Sequence, residues 1–309
     1  MGAESDLVPK TSNDTQDCDK AKSTIYQRTK TWSGFSALRY LFIFGDSYSD
    51  VGYSTFRTRV PSPSAAQPLG IEFPGITYNE EGLPNWVGHL ISKYRPAPRF
   101  DASVDTANQD PEYIRSPLLV YDYAIGGQTV EGVRSQVENI FLQSDLMSTV
   151  SEDAWNASNS IFITWIGIND CGSFVRSNTQ TAIGNLFATQ QKLYDVGARN
   201  FLFIDVPPIH RSPAIPKQEE NESASYYQVW NTTLRTAIDE FSRNHDDASV
   251  FLFSSYEIFE NVLDKPKDFG IKPKEVRKAG GQVWVDYLHP TSKVHDILAS
   301  SLANFLGQI

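Results

Sequence analysis

The chain has 309 residues, a net charge of −10 and a pI near 5.0; 40% of its residues are hydrophobic and 12% aromatic. That is ample apolar material for a large packed core. The acidic balance excludes the basic face a nucleic-acid partner needs and disfavours anionic membranes and polyanionic substrates, so a neutral ligand is the easier expectation.

Residues 1–31 are polar and without periodicity, the pattern of a flexible arm with little part in the core. They contain no apolar h-region, and Asp6 stands where a myristoylation pattern starting at Gly2 needs Ser or Thr. Trp32 and Phe35 are placed to pack the arm's end against the body. The remainder, 32–309, shows no internal repeat and no second composition regime, and reads as one domain. No apolar run approaches the roughly 20 residues that span a membrane, so no membrane partner is expected. Asn13, Asn156, Asn221 and Asn231 open N-glycosylation triplets. Together they hint at a secreted protein whose signal peptide is absent from this chain. Cys18 and Cys171 allow one disulfide at most; Cys171 is either a buried free thiol or the partner of Cys18.

The first strong element is the charge-free aromatic run 40–44, a strand buried on both faces. It stops in Gly45-Asp46-Ser47. From 56 to 82 the chain is dense in Pro and Gly, a long irregular loop of the kind usually kept for function. Asn85 is an N-cap for a helix over 86–94. A second Pro-rich connector runs to Leu118, and regular alternation follows: strand 120–124, helix 131–147, strand 161–166 and helix 181–196. Strand 201–206, helix 224–244, strand 250–253, a short helix 256–263 and a last helix 290–306 complete it. Strands alternating with helices imply a parallel five-stranded sheet with helices on both faces.

Polar or glycine-rich signals close four of these segments: Ser47, Gly126-Gly127, Asn169, and Asp286-Tyr-Leu-His289 near the C-terminus. In a parallel sheet such ends converge on one rim. Ester hydrolysis needs a nucleophile, a base, a group that orients the base, and donors for the oxyanion. Ser47, His289 and Asp286 supply the first three. The backbone N–H groups of Ser47 and Gly127 and the Asn169 amide supply the last, and glycine at 127 allows close approach of backbone to substrate. Tyr48, Trp86 and Trp284 are nearer this crevice than the other aromatics considered and are candidates to stack on a sugar.

The other candidates have blander readings. Asn169 could simply cap the helix after it. His89 and His295 lie in helices as packing or surface residues, His245 sits in a charged loop, and His210 is either packing or rim. Asp46 and Asp170 brace their turns, and Trp165 is core. No grouping has metal-ligand spacing.

The set resembles the SGNH (GDSL) hydrolase superfamily. Phe44-Gly45-Asp46-Ser47 matches its first block, Tyr123-Ala-Ile-Gly-Gly-Gln-Thr129 the second, Gly167-Ile-Asn-Asp170 the third and Asp286-Tyr-Leu-His-Pro290 the last, in the family's order. Pro68-Leu-Gly70, Asn85-Trp86-Val87 and Trp32 are similar to the fungal acetyl esterases of the sixteenth carbohydrate esterase family. The resemblance implies a flavodoxin-like three-layer α/β sandwich and a monomeric serine esterase without cofactor or metal. Its implied substrates are acetylated xylo- or manno-oligosaccharides from hemicellulose, deacetylated through an acyl-enzyme. Ser49-Asp50-Val51 stands where those esterases often have threonines, and Gln128 where the second block often has Ala. Three alternatives remain. An ordinary α/β-hydrolase needs Gly-x-Ser-x-Gly, which Gly45-Asp-Ser-Tyr-Ser49 lacks. A lipase of the same superfamily would want an apolar lid. A silent carbohydrate-binding protein would lack part of the catalytic set.

Overall fold

The computed structural model describes residues 22–53, 62–147, 154–172 and 178–309. In chain order its main elements begin with β1 (Thr24–Gln27), β2 (Tyr40–Gly45), α1 (Trp86–His89), α2 (Pro111–Arg115), β3 (Leu119–Asp122) and α3 (Val130–Ser135). They continue with β4 (Ser160–Trp165), α4 (Ile168–Cys171), α5 (Thr179–Asp195), β5 (Asn200–Ile204), α6 (Glu220–Asn244), β6 (Ser249–Phe253), α7 (Ser255–Asp264) and α8 (Ser292–Gln308). The sheet order is β1-β6-β5-β4-β2-β3, parallel throughout except for the antiparallel β1–β6 pair.

Every residue of β2, β4, β5 and β6 is buried, which explains their apolar runs: a strand covered on both faces has no polar side to show. Alternation sends their side chains to two opposed helical layers. Phe201 and Phe203 meet Phe241 of α6, and Phe203 also meets Phe187 of α5. On the other face Trp165 meets Trp86 of α1, and α1 and α7 both pack against α8. The result is the expected three-layer α/β sandwich.

One boundary moves. The stretch 1–31, read as an arm, contributes β1, which lengthens the parallel set of five by an antiparallel edge strand. Ile25 pairs with Phe251, the Thr29 N–H donates to Ser249 Oγ at 3.0 Å, and Trp32 sits edge-on to Phe251 at 5.0 Å. A four-residue edge strand needs neither a long apolar run nor strict alternation, so its sequence looks like loop. The rest of that stretch, 1–21, which includes Asn13 and Cys18, lies outside the described residues, as do residues 56–61 of the Pro-rich loop.

β2 lies between β3 and β4, so successive strands are laid down on opposite sides of it. A crevice opens at such a switch point, past the carboxyl ends of the strands.

Candidate active site

Ser47 lies two residues beyond the end of β2, in a turn held from all sides. The Asp46 carboxylate accepts from the Tyr48 N–H at 3.0 Å, closing the turn. Asn85 caps α1 with its carbonyl oxygen, taking the Val87 N–H at 3.0 Å, and its amide donates to the Ser49 carbonyl at 2.9 Å. The helix start and the Ser47 turn are thus locked together. Trp86 Nε1 donates to Ser49 Oγ at 3.2 Å. Gln136 brackets the last residue of β2: Gly45 N–H donates to its Oε1 at 3.0 Å, and its Nε2 donates to the Gly45 carbonyl at 2.8 Å.

Three neighbouring strands deliver donors to the rim. Gly127 follows β3 in a turn with φ +78°, a left-handed conformation that favours glycine, and a Cβ there would project into open space. Among the described residues, neither the Gly127 nor the Ser47 backbone N–H donates a hydrogen bond. Asn169 follows β4 within α4. It is not that helix's cap: Gly167 holds the N-cap position, and no side chain caps there. Asn169 Nδ2 instead donates to the Gln128 carbonyl at 2.8 Å and lies 3.4 Å from Asp46 Oδ2. The short bond fixes the amide's orientation and leaves its second hydrogen only loosely engaged.

The candidate acid–base residues, Asp286 and His289, come from the connection into α8, not from a strand of the sheet. Backbone bonds shape this loop: Val285 N–H donates to the His289 carbonyl at 2.8 Å, and Thr291 N–H to the Val283 carbonyl at 2.9 Å. His289 Nε2 lies 3.0 Å from Ser47 Oγ, and His289 Nδ1 lies 2.7 Å from Asp286 Oδ2. Asp286 Oδ1 accepts from the Leu288 and His289 N–H groups, each at 2.7 Å. Partial burial pushes the Asp286 carboxyl up, but the His289 ring and these two backbone donors outweigh it and hold it below the usual range. It is therefore an anion at neutral pH. The carboxyls beneath Ser47 go the other way. Burial lifts Asp46 to about 7, against the pull of the Tyr48 N–H and helped by Asp170 and Asp50. Asp170, which accepts from the Val130 N–H at 3.2 Å, rises to about 6 for the same main reason.

The three aromatics expected to stack on a sugar do not reach the surface. Tyr48, Trp86 and Trp284 are all buried, at 1% exposure or less. Tyr48 Oη donates to the Leu288 carbonyl at 2.8 Å, and Trp284 Nε1 donates to the Val276 carbonyl at 2.9 Å. Their indole and phenol groups are satisfied inside, as large amphipathic rings in a core must be. An exposed aromatic that does stand beside His289 is Tyr78, in the described part of the Pro-rich loop. Its ring centroid lies 5.0 Å from that of His289. A tyrosine without a neighbouring motif carries no signal in one sequence, and Gln136, 91 residues from Gly45, carries none either.

The remaining histidines are accounted for. His89 Nε2 lies 2.9 Å from Ser292 Oγ, the buried His245 is held by Phe241 and Gln191, and His210 is packed beside Tyr227 and Tyr256. His295 is buried behind Tyr48. Asn156 and Asn221 are exposed. Asn231 is buried and brackets Val206 through both of its amide atoms, at 2.8 Å each, so its triplet is a structural device and not a glycan site. Among the described residues no cluster of His, Cys, Asp or Glu is arranged for a metal, and no helix is long and apolar enough to cross a membrane.

A serine within reach of a His–Asp pair, on the carboxyl rim of a parallel sheet, is the arrangement acyl transfer by a serine enzyme requires. Residues 41–302 match the family model described as GDSL-like Lipase/Acylhydrolase. The chain belongs to that family, the GDSL or SGNH hydrolases, and is a carboxylic ester hydrolase. It is 30% identical over 288 residues to an acetylesterase of Thermothelomyces thermophilus, covering 86% of this chain and 87% of that one. GDSL esterase/lipase 5 of Arabidopsis thaliana is 23% identical, with 79% and 70% of the two chains covered. Among solved structures, a catalytic mutant of Axe2, an acetylxylan esterase from Geobacillus stearothermophilus, superposes with a TM-score of 0.53 at 14% identity. That match covers 87% of this chain and 94% of the other, and it establishes the shared fold.

Proposed function

We propose that the protein removes acetyl groups from acetylated carbohydrates, with hemicellulose-derived xylo- or manno-oligosaccharides as the substrate class, and does so as a secreted monomer. The observation that carries the catalytic part is the relay itself: Asp286 Oδ2 to His289 Nδ1 at 2.7 Å and His289 Nε2 to Ser47 Oγ at 3.0 Å, beside two undonated backbone amides. In this reading Ser47 Oγ attacks the acetyl carbonyl as His289 takes its proton. The oxyanion is received by Ser47 N–H, Gly127 N–H and Asn169 Nδ2. His289 then gives that proton to the sugar oxygen as its bond to the carbonyl carbon breaks, releasing the sugar alcohol, and water repeats the sequence on the acetyl-enzyme, releasing acetate and restoring Ser47. Asp286, ionised, holds the tautomer that leaves Nε2 free.

The acetyl preference is supported by the Thermothelomyces acetylesterase, and the neutral substrate by the acidic composition. The exposed triplets at Asn156 and Asn221 favour the secretory route. The test pairs a label with a substrate series. A serine-directed phosphonate should inactivate the enzyme and map to Ser47. Acetate should be released from acetylated xylo-oligosaccharides faster than fatty acid from esters of eight or more carbons. Labelling elsewhere would overturn the nucleophile, and faster cleavage of the long chains would favour a lipase.

A further inference from the structure

We propose that Tyr78 determines specificity in this site: its ring is the surface against which the alcohol part of the ester rests while the ester oxygen reaches His289. The inference rests on the esterase roles given to Ser47 and His289 and adds the missing contact for the leaving group.

Three independent observations converge on Tyr78. The first is position. The Tyr78 and His289 ring centroids are 5.0 Å apart at an interplanar angle of 34°, so the phenol lies tilted beside the imidazole. The leaving oxygen must come within hydrogen-bond reach of His289 Nε2 to be protonated. The carbonyl oxygen, by contrast, faces Ser47 and Gly127. The alcohol is therefore the substrate part beside the imidazole, where Tyr78 stands. With 44% of its surface exposed, Tyr78 keeps free area for a ligand.

The second is accommodation by the backbone opposite. A Cβ at Gly126 would land on the Tyr78 hydroxyl. Any side chain there would displace the ring, so the glycine beside the Gly127 donor makes room for the phenol. Tyr78 thus spans the site from the oxyanion side to the base.

The third is rigidity. Thr77 Oγ1 and Asn79 Nδ2 both donate to the Leu83 carbonyl, at 3.2 and 2.8 Å, closing the loop on either side of Tyr78. Glu80 Oε2 accepts from Ser292 N–H at 2.7 Å, and Ser292 Oγ donates to the Pro84 carbonyl at 2.7 Å. The loop is tied to the first turn of α8, three residues beyond His289, with a carboxylate where the helix dipole favours one. A fixed amphipathic ring binds without first losing its freedom. Ile76, on the same loop, and Tyr287, on the loop of His289, are also exposed apolar side chains.

The experiment compares ethyl acetate, 2-naphthyl acetate and acetylated xylobiose as substrates of the wild type, Tyr78→Phe, Tyr78→Leu and Tyr78→Ala. Thermal midpoints confirm that each variant folds. Tyr78→Ala should lose about tenfold in kcat/KM on the two bulky alcohols, mostly through KM, and stay within about twofold on ethyl acetate. Tyr78→Phe should keep the wild-type ranking, and Tyr78→Leu should show the selective loss in weaker form. Equal loss on all three esters, carried by kcat, would make Tyr78 a support for His289 and overturn the proposal. So would unchanged kinetics, or a change confined to acyl-chain preference. A wild type that cleaves naphthyl acetate but not acetylated xylobiose sinks the carbohydrate assignment, while the naphthyl and ethyl esters still decide the role of Tyr78.

Discussion

Replacing Asp286 by Asn tests the relay with almost no change of shape. Asp286 Oδ1 accepts two backbone N–H groups, from Leu288 and His289, both at 2.7 Å. In Asp286→Asn the amide oxygen must stay at that position, because turning the amide over would set an NH₂ against two donors. Keeping two hydrogen bonds at about 1 kcal/mol each favours the first orientation by ~2 kcal/mol, a factor of about 30. The NH₂ then faces His289 Nδ1, 2.7 Å from Oδ2 in the parent. Nδ1 can only accept, so its proton moves to Nε2, which then donates to Ser47 Oγ and can no longer take its proton. Only the turned-over minority, about 3%, keeps the productive tautomer. kcat should therefore fall at least ~30-fold, with a ceiling near the ~10⁴-fold seen when a serine protease loses this carboxylate. The lower part of that range is expected, because the Asp286 side chain is 50% exposed and water can reach the imidazole. The assay is kcat and KM on an acetyl ester beside the thermal midpoint. A loss below tenfold with an unchanged midpoint would refute the reasoning, showing that another group orients His289.

Two further outcomes are expected. Asn169→Ala should lower kcat by ~10²–10³ with little change in KM, because one preorganised oxyanion donor goes; stability should drop only by the ~1 kcal/mol of the bond to Gln128. A lowered midpoint with kcat preserved would leave the oxyanion to backbone donors alone. Acid stability should depend on His295, whose burial, with the neighbouring His89 and His289, lowers it to about 3 from the ordinary 6.5. Below 6.5 the unfolded chain takes up a proton that the folded one refuses, so stability falls as pH drops from 6.5 toward 3. His295→Phe should flatten that part of the pH–stability curve in denaturant titrations, and an unchanged slope would show that the ring is protonated in place.

The parallel strands were legible because burial on both faces leaves a composition signal that needs no partner to be read. Ser47, Gly127, Asn169, Asp286 and His289 could be singled out as candidates because each sits in a short local motif, and the structure brings Ser47, His289 and Asp286 into hydrogen-bond contact. What one sequence hides is contact at a distance. Gln136 reaches Gly45 across 91 residues, and Tyr78 reaches His289 from a loop whose irregularity conceals where its side chains point. β1 was hidden differently: an edge strand borrows its order from β6, so its own residues need not announce it. The rim aromatics were misassigned because one sequence does not show where a side chain points: Tyr48, Trp86 and Trp284 all turn into the core.

That misassignment has a physical meaning. Tyr48 starts in the nucleophile turn, and its hydroxyl ends on the carbonyl of Leu288, between Asp286 and His289. It also packs edge-on against Trp165 of β4 and lies beside His295 of α8. One buried side chain thus joins the sheet, the serine turn and the base loop. This matters because the two halves of the relay have different foundations: Ser47 rests on a central strand braced by Asn85, Trp86 and Gln136, whereas His289 rides on a loop outside the sheet whose Asp286 partner is half in solvent. A 3.0 Å separation between Ser47 Oγ and His289 Nε2 can be held across that junction only if the loop is fastened from beneath. Aromatic rings with one hydrogen-bonding tip fill the space and fix the register together. The contacts with substrate then fall to side chains above the relay, where Tyr78 stands.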